Sequence, residues 1–211
     1  MKQLFLLHLN MNYSYLALGD SYTIGEQVLL SESFPYQTVQ LLRQQNLAFF
    51  APEIIAKNEW TTDELQIEID KTIFLKKYDF VSLLIGVNNQ YREKNLDEYE
   101  IQFELLLQKA IGFSNNNFKN IFVLSIPDWG TMPFAKERNI KKIAEEIDVY
   151  NDSCKNITQK FGCTFIDITP SQRTDSKDLK MVAADHLHPS ALEYTKWAKK
   201  LAAAIIEACS A

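Results

Sequence analysis

The sequence is poor in cysteine, histidine, net positive charge and long apolar runs, and each shortage removes a class of function. Three cysteines occur in 211 residues, Cys154, Cys163 and Cys209. An odd number without a CxxC spacing leaves no disulfide framework and no thiolate zinc site, and points to free thiols in a reducing compartment. Lys and Arg number 22 against 27 Asp and Glu, for a net charge of −5. Phosphate-backbone binding rests on clustered positive charge, so no nucleic acid partner is expected. No stretch approaches the roughly 18 consecutive apolar residues of a membrane span, so stable membrane insertion is not expected. The apolar start from Met1 to Leu9 is short, is broken by His8, and leads to no small-x-small cleavage pattern before Tyr15. Cytoplasm is the expected compartment, with secretion or a periplasm the alternative if residues 1–12 belong to a signal. No repeat or low-complexity segment is visible, and nothing bears on oligomeric state.

What remains is a chain with 46% hydrophobic and 23% charged residues, the balance of a globular protein. Its length suits one domain over 1–211, with residues 1–12 a leader or an extended start. Short runs rich in Val, Ile, Leu and Phe predict buried strands at Tyr15–Leu18, Glu53–Ala56, Phe80–Ile85, Ile121–Ser125 and Thr164–Ile168. Helix signals lie between them. Thr61 to Glu64 fits a capping box, Ser190 to Glu193 another, and Asp97 to Glu100 a looser one. Ser33 before Pro35 opens a further helix, and 136–161 is a long amphipathic stretch. Strand–helix alternation of this kind predicts an α/β fold, a parallel sheet covered by helices on both faces. Chemistry in such folds gathers beyond the carboxyl ends of the strands.

Three strand ends carry candidate chemistry. Ser21 follows the first strand in Leu18-Gly19-Asp20-Ser21. A serine there is either a nucleophile awaiting a base or an ordinary helix-capping residue. The available bases are few, since the chain has only His8, His186 and His188. The last two fall in Asp185-His186-Leu187-His188, just before the final helix. An Asp three residues ahead of a His can accept from its Nδ1–H and leave Nε2 free to face a serine. A metal cluster of Asp185, His186 and His188 is the other reading, though no second group of ligands accompanies it. The third strand ends in Gly86-Val87-Asn88-Asn89, where an asparagine amide can donate to an oxyanion or simply build a turn. Trp60, Tyr91, Trp129 and Phe134 fall in loops after strands and can wall a pocket or pack as core.

Together these segments resemble the GDSL/SGNH hydrolases. Gly19-Asp20-Ser21 is similar to that family's first block, Gly86-Val87-Asn88-Asn89 to its GxND block, and Asp185 to His188 to its DxxH block, in the same order from Tyr15 to about Ala203. The resemblance implies a three-layer, flavodoxin-like α/β/α fold with five parallel strands. It implies Ser21, Asp185 and His188 as catalytic residues, and an oxyanion hole made by Ser21, Glu59 and Asn88. The implied activity is hydrolysis of a small-molecule ester, an acyl or acetyl ester of a lipid, sugar or other alcohol, with no metal and no cofactor. The sequence departs from the family at three positions. Glu59 stands where a glycine usually gives its N–H to the oxyanion; a left-handed backbone there would strain it by roughly 1 kcal/mol. Asn89 replaces the usual Asp, and His186 a commonly small residue. Glu59 motivates one alternative, a catalytically weakened binding module on the same fold. Acyl transfer by the same residues is another.

Overall fold

The computed structural model describes residues 12–210. The leader segment considered above, apart from Asn12, lies outside the described residues. Five strands form one sheet: β1 (Tyr15–Gly19), β2 (Glu53–Ala56), β3 (Phe80–Leu84), β4 (Ile121–Leu124) and β5 (Thr164–Ile166). All pairings are parallel, and the spatial order is β2-β1-β3-β4-β5. That is the flavodoxin-like order, and the strands fall where apolar runs predicted them. β1, β3 and β4 are buried along their whole length, which is why their sequences run apolar instead of alternating. The exception inside β3, Ser82, is matched: its hydroxyl lies 2.7 Å from the Tyr15 hydroxyl on β1, so neither polar group is buried unpaired.

Among the described residues, eight α-helices accompany the sheet: α1 (Ser21–Ile24), α2 (Phe34–Gln44), α3 (Thr62–Lys71), α4 (Val87–Tyr91), α5 (Leu96–Phe113), α6 (Ile140–Lys160), α7 (Thr169–Asp175) and α8 (Ala191–Ser210). Parallel crossovers are right-handed. The β1-to-β2 step runs opposite to the later ones, so its helix α2 takes one face while α3, α5 and α6 take the other. α2 packs on α8, and α5 on both α3 and α6, completing three layers. Phe34, Tyr194 and Trp197 pack against one another between α2 and α8 in tilted and edge-on pairs.

Helix ends follow the sequence signals unevenly. At α3 the Glu64 carboxylate reaches back to the Thr61 N–H at 2.9 Å, as its capping box predicts. α5 begins earlier than Asp97, because Asn95 accepts from the Glu98 N–H at 3.1 Å and so is the cap. The box expected at Ser190 does not form. Glu193 instead accepts from the buried Trp197 indole at 2.9 Å, and the Ser190 hydroxyl donates to the Lys180 carbonyl at 2.6 Å. A buried indole N–H needs an acceptor, and Glu193, one turn away, supplies it.

The order reversal between β1 and β3 opens a crevice at their carboxyl ends, and glycine is needed on both sides of it. A Cβ on Gly19 would sit 2.4 Å from the Leu84 carbonyl, and one on Gly86 (φ 132°) would sit 2.7 Å from the Tyr99 ring. Among the described residues no helix is long and apolar enough to cross a membrane.

Candidate active site

Ser21 opens α1 directly after β1, with Asp20 as the helix cap: one Asp20 oxygen accepts from the Tyr22 N–H at 3.1 Å. The Ser21 N–H belongs to the first turn and has no intrahelical acceptor, so it is available to a ligand at the helix start. His188 reaches the same point from the far end of the chain. Val182 bridges Pro189, and the Ala183 N–H donates to the His188 carbonyl at 2.8 Å, closing residues 183–188 into a tight loop. His186 turns that loop with φ 62°. A small residue is common in such a left-handed position, and His is among the side chains that tolerate it. The His186 side chain is exposed.

The distances are those of a proton relay. His188 Nε2 lies 3.0 Å from Ser21 Oγ, and His188 Nδ1 lies 2.5 Å from Asp185 Oδ2. The other Asp185 oxygen accepts the Leu187 and His188 N–H groups, each at 3.0 Å. Burial pushes the Asp185 carboxyl up, but the hydrogen bonds from the ring and both amides outweigh it and hold the group below its usual range. Asp185 is therefore an anion at neutral pH, suited to stabilise a charged imidazole. Tyr22 flanks the ring, their centroids 5.2 Å apart.

Asn88 and Glu59 approach from the ends of β3 and β2. The Asn88 amide donates to the Trp60 carbonyl at 3.0 Å, which uses one N–H and leaves the other. Glu59 has φ 67°, the left-handed geometry that explains why glycine is usual there. The turn is held by its successive carbonyls, that of Glu59 by Arg92 at 2.7 Å and that of Trp60 by Asn88. These contacts offset the roughly 1 kcal/mol of strain. Glu59 is exposed and, like any residue but proline, keeps its backbone N–H, so the replacement removes no donor. Asn89 does more than hold its own turn: it accepts from the Thr62 N–H at 3.1 Å and donates to the Thr62 hydroxyl at 2.7 Å, joining the β3 and β2 loops.

Ser21, Glu59, Asn88 and His188 line one cavity of about 210 Å³. Its apolar wall is Val87, Tyr91, Trp129, Phe134 and Leu187. Tyr91 and Phe134 both meet Trp129 edge-on, at 5.1 and 6.3 Å between centroids. Trp60 is absent from this wall and packs on the core. Arg173, a conceivable anion contact, is spent on Asp128 and Asp148 at 2.8 Å each. Among the described residues no three His, Cys, Asp or Glu side chains gather as a metal site; Asp185 and His188 bind each other instead. Sequence patterns gave no sign of the Arg92 clamp, nor of Gln90, whose side chain accepts from the Trp129 indole at 2.7 Å. Leu187 was within sight, lying inside the DxxH block.

Beneath the site, Asp20 is fully buried and its second oxygen has no partner among the described residues. Burial pushes this carboxyl up to about 8, against the smaller opposing pull of the Tyr22 N–H. An unfolded Asp titrates near 4. Between those values the native state holds a proton that the unfolded chain has lost, so stability falls as pH rises through the window. Asp20→Asn has no proton to lose. Its thermal midpoint should gain on that of the unmodified protein from about pH 4 to pH 8, with the gap nearly closed at the acid end. Melting curves across that range check this; a gap independent of pH would mean that Asp20 ionises as readily folded as unfolded.

The sequence profile of the GDSL-like Lipase/Acylhydrolase family matches residues 17–196. Among proteins of curated function, no sequence matches significantly. Among solved structures, Axe2, an acetylxylan esterase from Geobacillus stearothermophilus, is 20% identical with a TM-score of 0.69, covering 93% of each chain. A lipase/acylhydrolase from Enterococcus faecalis is 18% identical with a TM-score of 0.69, covering 92% of this chain and 95% of that one. A putative lipolytic protein of the G-D-S-L family from Desulfitobacterium hafniense is 14% identical with a TM-score of 0.64, covering 92% and 99%. Identities this low establish a common fold, while the profile match spans most of the sequence. The chain belongs to the GDSL-like lipase/acylhydrolase family and is a carboxylic ester hydrolase.

Proposed function

We propose that the protein removes short acyl groups, acetyl foremost, from esters of hydroxylated alcohols such as sugars, through an acyl-enzyme on Ser21. The observation that carries this reading is the continuous contact from Ser21 Oγ to His188 Nε2 (3.0 Å) and from His188 Nδ1 to Asp185 (2.5 Å). Ser21 Oγ attacks the ester carbonyl while His188 takes its proton. The resulting oxyanion accepts from the Ser21 and Glu59 N–H groups and from the free N–H of Asn88. His188 then gives its proton to the departing alcohol, leaving acyl-Ser21. A water molecule, deprotonated by the same ring, attacks the acyl carbonyl and releases the acid, and Ser21 recovers its proton.

The cavity supports the short acyl group. Its volume of about 210 Å³ falls below the ~300–1,000 Å³ of pockets that enclose drug-sized ligands, and Trp129 and Phe134 are among its walls. The likeness to an acetylxylan esterase supports an acetylated sugar over a long-chain lipid. p-Nitrophenyl esters of graded length test this. We expect kcat/KM to peak between acetate and butyrate and to fall at least about tenfold by octanoate, since the buried Trp129 indole, held by Gln90, does not yield to further methylenes. A fluorophosphonate probe should label Ser21. Octanoate preferred over acetate overturns the substrate reading, and failure to label Ser21 overturns the mechanism.

A further inference from the structure

The active-site cavity shares its Tyr91–Trp129 wall with a second cavity of about 420 Å³. That cavity runs between α4 and the start of α6, where Glu93, Arg138, Asn139, Lys142 and Glu146 line it. A third cavity, of about 490 Å³, continues along α6 and shares Gln90, Glu93, Lys142 and Glu146 with the second. The three cavities thus adjoin in series, from Ser21 past Tyr91 and Trp129 to α6, and neither Leu187 nor His188 lines the two beyond Trp129. No step of the mechanism above uses the groove these two form.

The chemistry of this groove is specific. Lys142 Nζ lies 3.1 Å from Glu93 and 3.5 Å from Glu146, so the charges largely cancel within the groove. Gln90 donates to Glu146 at 2.8 Å and accepts from the Trp129 indole at 2.7 Å, which fixes the indole at the junction of the first two cavities. Tyr91, 45% exposed, stands beside it. A surface of this kind offers donors (Arg138, Asn139, Lys142) and acceptors (Glu93, Glu146) in alternation without a strong field of either sign, next to an exposed aromatic ring. A neutral polyol needs both kinds of partner at each hydroxyl, and its C–H face packs on an aromatic side chain. An anionic or cationic ligand would need an uncompensated charge, and a fatty chain would need apolar walls.

We propose that this groove is a glycan subsite: with the acylated ring at Ser21, the neighbouring rings of an oligosaccharide pass over Tyr91 and hydrogen-bond to Asn139, Arg138 and Lys142. The inference rests on the sugar-ester reading, and its test separates the two. Acetylated oligosaccharides of one to four rings would be compared with p-nitrophenyl acetate as substrates, using the unmodified protein and the double variant Arg138→Ala/Asn139→Ala. Both positions are exposed, but Asn139 also caps α6 by accepting from the Lys142 N–H at 3.1 Å, so the variant should melt a few degrees below the unmodified protein, the loss of a cap costing roughly 1 kcal/mol, and stay folded under assay conditions. In the unmodified protein kcat/KM should rise roughly tenfold from one ring to three, the effect of one or two added hydrogen bonds. In the variant, the ratio of kcat/KM on three rings to that on p-nitrophenyl acetate should fall by about the same factor, mainly through KM. A rate independent of ring number, or a variant that loses both activities equally, overturns the subsite. Absence of cleavage of p-nitrophenyl acetate by the unmodified protein overturns the ester-hydrolysis mechanism itself, a different result.

Discussion

Ser21→Ala should lower kcat on p-nitrophenyl acetate by about 10⁴–10⁶-fold while leaving the fold intact. In serine hydrolases the nucleophile and its base act as a unit, so losing either removes nearly all of the covalent pathway. What survives comes from substrate binding and oxyanion stabilisation alone, roughly 10³-fold over water. The fold should tolerate the change because the Ser21 side chain has one polar partner, His188 Nε2 at 3.0 Å, and the ring keeps its stronger tie to Asp185. The helix cap is untouched, since it comes from Asp20. Steady-state rates on purified protein, beside melting curves, decide the matter. A variant within tenfold of the original rate would show that another group attacks the ester.

Much of this arrangement is legible in the sequence because it is local in character. A strand buried on both faces must be apolar throughout, so Tyr15–Gly19 and Phe80–Leu84 announce themselves. Asp185 and His188 are three residues apart, and a short loop suffices to join them. The strained turn at Glu59 was also foreseeable, as a glycine position filled by another residue. What escaped the sequence depends on partners far along the chain. Arg92 reaches back 33 residues to the Glu59 carbonyl, and nothing in its surroundings distinguishes it from an ordinary surface arginine. Asn89 looked like a turn residue, yet its amide satisfies Thr62, 27 positions away. The Ser190 box failed for a like reason: the local pattern was right, but Trp197 had a stronger need for the Glu193 carboxylate. The groove beside α6 is set by how α4 and α6 are spaced, which neither helix pattern contains.

Asn88→Ala should reduce kcat by about 10²–10³-fold, with a much smaller change in KM. The amide is asked to donate to charge that exists only after attack, so its loss is felt in the transition state more than in the bound ester. One complication makes the prediction sharper. Asn88 also holds the Trp60 carbonyl at 3.0 Å, and that bond helps to fix the left-handed turn carrying the Glu59 N–H. Alanine therefore removes one donor outright and loosens the peptide that supplies another. Asn88→Asp, of nearly the same size, places acceptors where donors stood: it sets a carboxylate oxygen against the Trp60 carbonyl oxygen and opposes the oxyanion directly. Its loss should exceed that of alanine by a further order of magnitude or so, since Asn88 is half-buried and the repulsion there is screened less than in bulk water. If the wall of the cavity mattered only for shape, the two substitutions would rank the other way, aspartate filling the space that alanine leaves. Comparing their kcat values on p-nitrophenyl acetate thus separates an electrostatic role for Asn88 from a packing role, and equal or inverted losses would leave the oxyanion to the backbone amides of Ser21 and Glu59 alone.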